Sequence, residues 1–384
     1  MRDPGSELHK LREENLYRKL KYGSSATGRT FNSEDLSLLN FSSNDYLGLG
    51  THDSIKKAAI EAIESYGIGS GASRMLSGGT TPHFLIEKET ADFFGKDSSL
   101  FFANGYGAAL GTLGSILQKG DTVILDKLCH ASLIDGSRLS GATVRTFPHN
   151  DVEKLKRILN SISGNDQKNK RTLIVTEGIF SMDGDTPSIR EIIRLKEKYN
   201  ALLLLDEAHS FGLIGKNGKG LAHREKLSNG VDFLMTTFGK SAGAAGAATV
   251  ASKEWIKLIL NRARSFIYST APMPSQAAAA LAGLRLIRGA EGDGRRETLN
   301  NNITNLSNAL GISKPEGAII PIVIGTELET LEVSKKLLEA GILAPAIRYP
   351  TVSRGSARIR VTISANHSEN DIAYLAKTLQ DSLS

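Results

Sequence analysis

From about residue 40 to 288, short apolar runs alternate with stretches whose apolar residues recur at helical spacing. The runs include SLFFA (99–103), TVILD (122–126), TLIVTEG (172–178), ALLLLDEA (201–208) and FLMTTFG (233–239). Between them, Val152, Leu155 and Leu159, or Ile189, Ile192 and Ile193, fall on one helical face. Near-continuous apolar strands alternating with helices predict an α/β unit with a mostly parallel central sheet and helices on both faces. Ligands in such sheets bind beyond the carboxyl ends of the strands. The polar residues that follow each run are therefore the candidates for chemistry.

The flanks read differently. Residues 6–22 predict a short charged helix, followed by the linker GSSATGRT. After GAEGDGRRE (289–297) come a helix, the strand AIIPIVIG, the helix ETLEVSKKLLEAG, and the short strands LAPAIRY and RIRVTIS. A last helix carries Ile372, Leu375 and Leu379. The expected organisation is an N-terminal helical arm (1–40), a large α/β domain (41–288) and a smaller C-terminal α+β domain (289–384).

Composition narrows the class. With 40% hydrophobic and 23% charged residues among 384, the chain carries enough apolar material for a packed core and is not disordered. Its single cysteine, Cys129, excludes an internal disulfide and a multi-cysteine zinc site, so no metal centre is expected. Lys+Arg 47 against Asp+Glu 41 gives +6, without a run of five like charges. Nucleic acid is not an expected partner. The charged N-terminus lacks the apolar core of a signal peptide. The uncharged window Ser98–Gln118 contains four glycines and Asn104, which suits strand, turn and buried helix better than a membrane span. A soluble, cytoplasmic protein is expected.

Several motifs compete. DEAH (206–209) and Gly239-Lys240-Ser241 suggest a nucleotide hydrolase, but a phosphate loop needs a glycine five residues before Gly239, and Leu234 stands there. GIGSGA (67–72) matches a dinucleotide fingerprint in letters but follows a helical segment instead of a strand. FANGYGAALG (102–111) does follow a strand and opens a helix, so the amides near Gly105 and Tyr106 could receive an anion. Asp206 and Lys240 each stand just beyond an apolar strand. A lysine among Gly239, Ser241 and Ala242 has room for a bulky group on its amine, and desolvation would favour its nucleophilic form. His209 lies one turn beyond Asp206, and His130 follows the TVILD strand.

The phosphate turn, Asp206-x-x-His209 and a strand-end Lys240, in this order, resemble the fold-type I pyridoxal-phosphate (PLP) transferases. The wider text resembles the α-oxoamine synthases among them, which join an amino acid to an acyl thioester and release carbon dioxide. The motifs are NFSSNDYLGL (40–49), GSGASRMLSG (69–78), LCHASLIDG (128–136), HND (149–151), VTEGIFSMDGD (175–185), LDEAHSFGLIG (205–215), TTFGK (236–240) and IYSTAPMP (267–274). The similarity runs from about residue 40 to the C-terminus. AIRYPTVSRGSARIRVTISANH (346–367) is similar to the branch that joins L-alanine to a pimeloyl thioester in biotin biosynthesis. Tyr349 and Ser353 replace prolines frequent there, and Ser210-Phe211 replaces a Gly-Thr of some members.

The resemblance implies PLP as cofactor, held covalently by Lys240, which then removes the amino-acid Cα proton. It implies Asp206 at the pyridine nitrogen, His130 stacked on the ring, and His209 and Ser181 at the phenolic oxygen. The phosphate falls to Gly105, Tyr106 and Thr237, with Thr270 reaching in from the second subunit of a homodimer. For substrates it implies Asn44, His130, Arg348 and Thr351, with Arg18 at the distal pimeloyl carboxylate. The acyl donor is a coenzyme A or acyl-carrier-protein thioester. A glycine-using synthase with a short acyl thioester is the alternative within the family.

Overall fold

The computed structural model describes residues 3–24, 26, 28–33, 36–163 and 169–383. The chain forms two compact units. The first comprises residues 1–51, 182–184 and 297–384, and the second comprises residues 52–181 and 185–296. The first unit begins with strands β1 (Thr30–Asn32) and β2 (Ser37–Asn40). The second carries β3 (Ser98–Phe102), β4 (Thr122–Asp126), β5 (Thr143–Phe147), β6 (Thr172–Glu177), β7 (Leu202–Asp206), β8 (Phe233–Thr237) and β9 (Ala247–Ala251). The chain then returns to the first unit with β10 (Ile319–Gly325), β11 (Ile342–Leu343), β12 (Ala346–Ile347) and β13 (Ala357–Thr362).

The sheet of the second unit has seven strands in the order β3-β9-β8-β7-β6-β4-β5. β5, β4, β6, β7 and β8 run parallel, while β9 is antiparallel to both β8 and β3. The predicted runs become β3, β4, β6, β7 and β8. Leu100, Val123, Val175, Leu204 and Phe233 from these strands pack with Leu113 and Leu133 from helices Gly105–Ile116 and Ala131–Leu139. The uncharged window Ser98–Gln118 resolves into β3 and the helix Gly105–Ile116. Among the described residues, no helix is long and apolar enough to cross a membrane.

The first unit has two small sheets, β1-β2-β11 and β10-β13-β12. β2 pairs in parallel with β11, Leu39 with Ile342 and Asn40 with Leu343, so the N-terminal segment is built into the same unit as the C-terminal residues rather than standing as a separate arm. The expected helix over 6–22 is shorter, Pro4–Glu13, and the chain turns left-handed at Asn15. The stretch GAEGDGRRE, expected to mark a domain boundary near 288, is mostly inside the helix Ala290–Leu310. Gly292 permits this helix to start hard against the preceding one, since a Cβ there would lie 2.3 Å from the Ile287 carbonyl oxygen.

Candidate active site

The carboxyl ends of β4, β6, β7 and β8 and the amino end of helix Gly105–Ile116 surround a cleft of about 190 Å³ in the second unit. Gly105, Tyr106, His130, Asp206, His209, Thr237 and Lys240 line it, as do Glu177 and Ser132. A larger cavity of about 400 Å³ lies in the first unit, walled by Phe31, Leu338 and Leu343, and among the described residues Lys21 is the sole titratable one in its lining. The smaller cleft holds six titratable groups, Tyr106, His130, Glu177, Asp206, His209 and Lys240, acids and bases together.

Each strand delivers one group. Asp206 ends β7, where its Oδ1 accepts the Ala208 N–H at 2.9 Å. Burial pushes its titration up, against the pull of Lys240 and the Ala208 N–H. The turn after β7 brings the buried His209 back so that its Nε2 lies 2.8 Å from Lys240 Nζ, which follows β8 by three residues. His130 caps the helix Ala131–Leu139. Its Nδ1 accepts the Ser132 N–H at 3.2 Å and faces Ser132 Oγ at 2.8 Å, which fixes the ring at the cleft rim. Desolvation lowers the His130 pKa, Asp206 opposes that shift, and Lys240 adds to it.

The anion end of the cleft is built by helix geometry. Asn104 caps the helix, its Oδ1 accepting the Gly107 N–H at 2.8 Å. The amides of Gly105 and Tyr106 precede it at the helix start, where no intrahelical acceptor exists. A Cβ on Gly105 would point toward Thr237 Cβ, 4.0 Å away, so a side chain there would begin to fill the gap between helix and β8. The Tyr106 hydroxyl donates to Asp135 in a short bond.

Other predicted residues stand elsewhere. Ser181 is buried beyond β6, and Thr270 bridges Ser73 on an exposed stretch; neither lines this cleft. Asn44, Thr351, Arg348 and Arg18 belong to the first unit. There, Asn44 Oδ1 accepts from both Tyr46 Oη and Arg360 Nη2 at 3.1 Å, so its orientation is set from two sides. Arg348 donates to the Asn15 carbonyl, and its titration is lowered by burial and by the charge of Arg18. Thr351 is exposed, and its N–H donates to the Arg348 carbonyl.

Glu177 and Arg360 were not among the expected residues. The signal for Glu177 was present in TLIVTEG, an acid closing an apolar run. The DEAH glutamate has a different job. Glu207 is buried and accepts the Leu221 and Ala222 N–H groups at 2.9 Å and the Ser210 hydroxyl, tying the turn after β7 to a helix start 14 residues on. HND likewise clamps loops: His149 bridges Asp126 at 3.1 Å and Asp185 at 2.8 Å. Burial works against its charge, but those two hydrogen-bonded acids push its pKa up to about 10.

An amine over a buried acid, with an anion cradle at one end, suits a flat cofactor that is anionic at one end and basic at the other. A model of the aminotransferase class I and II family matches residues 37–379. The chain belongs to that family. The 8-amino-7-oxononanoate synthase of Geobacter sulfurreducens is 40% identical over 376 residues, covering 97% of this chain and 95% of that one. Among solved structures, a variant serine palmitoyltransferase of S. paucimobilis with bound PLP–myriocin aldimine superposes with a TM-score of 0.90 at 28% identity. The match covers 98% of this chain and 96% of that one. The 8-amino-7-oxononanoate synthase of Francisella tularensis gives 0.76 at 27% identity, over 90% and 97%. The fold is that of the fold-type I PLP transferases. Family membership does not favour the nucleotide-hydrolase alternative, in line with the engagement of Glu207 by backbone amides.

Proposed function

We propose that the protein is a PLP-dependent acyltransferase that condenses L-alanine with a pimeloyl thioester, releasing carbon dioxide and free thiol and giving 8-amino-7-oxononanoate for biotin biosynthesis. The observation that carries this reading is full-length similarity, about 40% identical, to 8-amino-7-oxononanoate synthases. The cleft suits the cofactor: Lys240 and His209 share one wall, Asp206 ends a strand at its floor, and the gap between Gly105 and Thr237 suits a phosphate.

When bound, PLP supplies an electron sink for negative charge at the amino-acid Cα. Asp206 would hold the proton of its ring nitrogen by ion pairing. Gly105 and Tyr106 amides, with Thr237, would take the phosphate. His209 and Ser181 would meet the phenolic oxygen, and the His130 ring would cover one face. Lys240 would hold the cofactor and then, with its amine released, take the Cα proton of alanine; its neighbour His209, 2.8 Å away, orients that amine. Arg348 would receive the alanine carboxylate, with Asn44 and Thr351 beside the substrate, and Arg18 would receive the distal carboxylate of the acyl chain.

The reading includes a homodimer in the cytoplasm. Leu76, Tyr268 and Leu139 are each more than 70% exposed, and Ile68 and Phe84 more than 60%, apolar side chains of the second unit that a partner subunit would cover. Thr270, exposed beside Tyr268, would then reach the partner's phosphate site. The acyl carrier is coenzyme A or an acyl carrier protein.

The test is competition. Purified protein with PLP is offered L-alanine plus pimeloyl-CoA and glycine plus acetyl-CoA, with products identified by mass. The alanine methyl is worth about 1–3 kcal/mol in a fitted pocket, whereas a distal carboxylate buried without a cation costs more, so the acyl chain decides. A preference for glycine with acetyl-CoA refutes the substrate pair and leaves the PLP chemistry standing.

A further inference from the structure

The reaction proposed above assigns no role to Glu177, yet this residue is the more deeply buried of the two acids in the cleft, 2% exposed. It ends β6 as Asp206 ends β7, and the two are register partners on adjacent parallel strands. Paired positions place their side chains on the same face of the sheet. Glu177 Oε1 also accepts the backbone N–H of His130 in a short bond, at the residue that caps the next helix.

The groups that act on Glu177 come from every surrounding element. Asp206 acts on it from β7, Asp126, itself bound to His149, from the end of β4, the His130 N–H and the buried Cys129 thiol from the turn after β4, and Lys240 from beyond β8. Asp126 has its own cation in His149, so Glu177 and Asp206 are two adjacent acids that share one lysine, which is itself held at His209. Neighbouring carboxyl groups in a desolvated site do not both ionise cheaply, and one of them keeps a proton. Asp206 has the stronger claim to the charge, since Lys240 is the foremost group stabilising its ionised form and the Ala208 N–H supports it. Glu177 is the better proton holder: burial, and then the charge of Asp206, push its titration up to about 8.

We propose that Glu177 is a positioning residue that works as a neutral acid, fixing His130 through its backbone N–H and leaving the negative charge of the carboxyl pair on Asp206. The fixing of His130 stands on the Glu177–His130 hydrogen bond, and the retained proton on the burial of Glu177 beside its register partner Asp206. The benefit to Asp206, one undivided charge for a ring nitrogen, rests on the PLP reading.

Glu177→Gln and Glu177→Ala in the full chain, with and without PLP, test this. Glutamine keeps an uncharged acceptor for the His130 N–H. The PLP absorption spectrum and affinity of Glu177→Gln should match wild type within about twofold, while Glu177→Ala loses affinity several-fold. A carboxyl group titrating higher in the folded than in the unfolded state costs stability as pH rises from its unfolded value through its folded value. The Tm of Glu177→Gln should therefore exceed that of wild type by several degrees at about pH 9 and by little at about pH 5. Infrared spectra near pH 7 should show a protonated-carboxyl band in wild type that Glu177→Gln lacks. A Glu177→Gln protein as damaged as Glu177→Ala, a Tm difference that ignores pH, or an unchanged infrared band would each overturn the proposal. Failure to bind PLP would instead overturn the functional reading, while the pH-dependent Tm difference of the cofactor-free chain would still decide the state of Glu177.

Discussion

The two edges of the seven-stranded sheet handle charge in opposite ways. At the amino edge, the buried Asp121 just before β4 accepts the Arg171 N–H at 2.8 Å and the Gln118 N–H at 2.9 Å. Arg171 in turn donates to the Ile116 carbonyl at 2.6 Å and lies over Trp255. Asp232, just before β8, accepts the Leu203 N–H at 2.8 Å and pairs with Lys196 at 3.0 Å. Each acid there is closed off by backbone donors. At the carboxyl edge, Glu177, Asp206, His130, His209 and Lys240 face one another across a cleft. Glu177 and Asp206 are pushed up by burial, and His130 is pushed down by it. Polar groups satisfied by the chain serve the fold, whereas polar groups set against each other around a space serve a ligand.

Substitutions should separate the edges. The largest expected effect is at Lys240. Lys240→Ala removes both the covalent hold and the base, so turnover should fall by about a thousandfold or more with little change in Tm. Near-normal synthesis by this variant would show that another group is the base. Asp206→Asn keeps the shape but cannot ion-pair with a ring proton, and should slow alanine Cα–H exchange by about a hundredfold or more. Wild-type exchange, followed by NMR in deuterium oxide, would remove Asp206 from the mechanism.

Much of this edge was legible in the sequence because a short apolar run marks its own end. A charged residue at or just beyond the end of such a run identifies Asp206 and Lys240, and the strand-to-helix turn identifies Gly105. What escaped depends on partners remote in sequence. β9 is AATVA, too small and too short to announce itself, although it sits between β3 and β8. β5, TVRTF, is an edge strand with mostly exposed positions, so it carries no apolar run. The pairing of β2 with β11 joins residues about 300 positions apart, which no local pattern encodes. Within DEAH, adjacent acids diverge in role because Glu207 turns to amides at Leu221 and Ala222 while Asp206 stays at the cleft.

Smaller effects belong to the amino edge. Asp121→Ala strands two N–H groups beside a buried site and should cost about 2–4 kcal/mol, seen as a Tm drop of several degrees. Below that Tm, kcat and KM should stay within about twofold of wild type, because nothing at this edge meets the cleft. A large loss of kcat in folded Asp121→Ala would break the distinction between the edges.

The smallest effect is expected at Lys196. Its ammonium lies 3.0 Å from Asp232, but both side chains retain some solvent, 15% and 23% exposed, so water screens the pair. Such pairs are worth about 0–1 kcal/mol. Lys196→Met keeps the aliphatic packing of the stem and leaves Asp232 with the Leu203 N–H, a donor that does not depend on the lysine. The Tm should therefore move by no more than about two degrees, and less still in high salt, where the pair contributes little to begin with. A drop comparable to that of Asp121→Ala would mean that Asp232 is held by the cation and not by the backbone. The amino edge would then resemble the carboxyl edge in depending on paired charges.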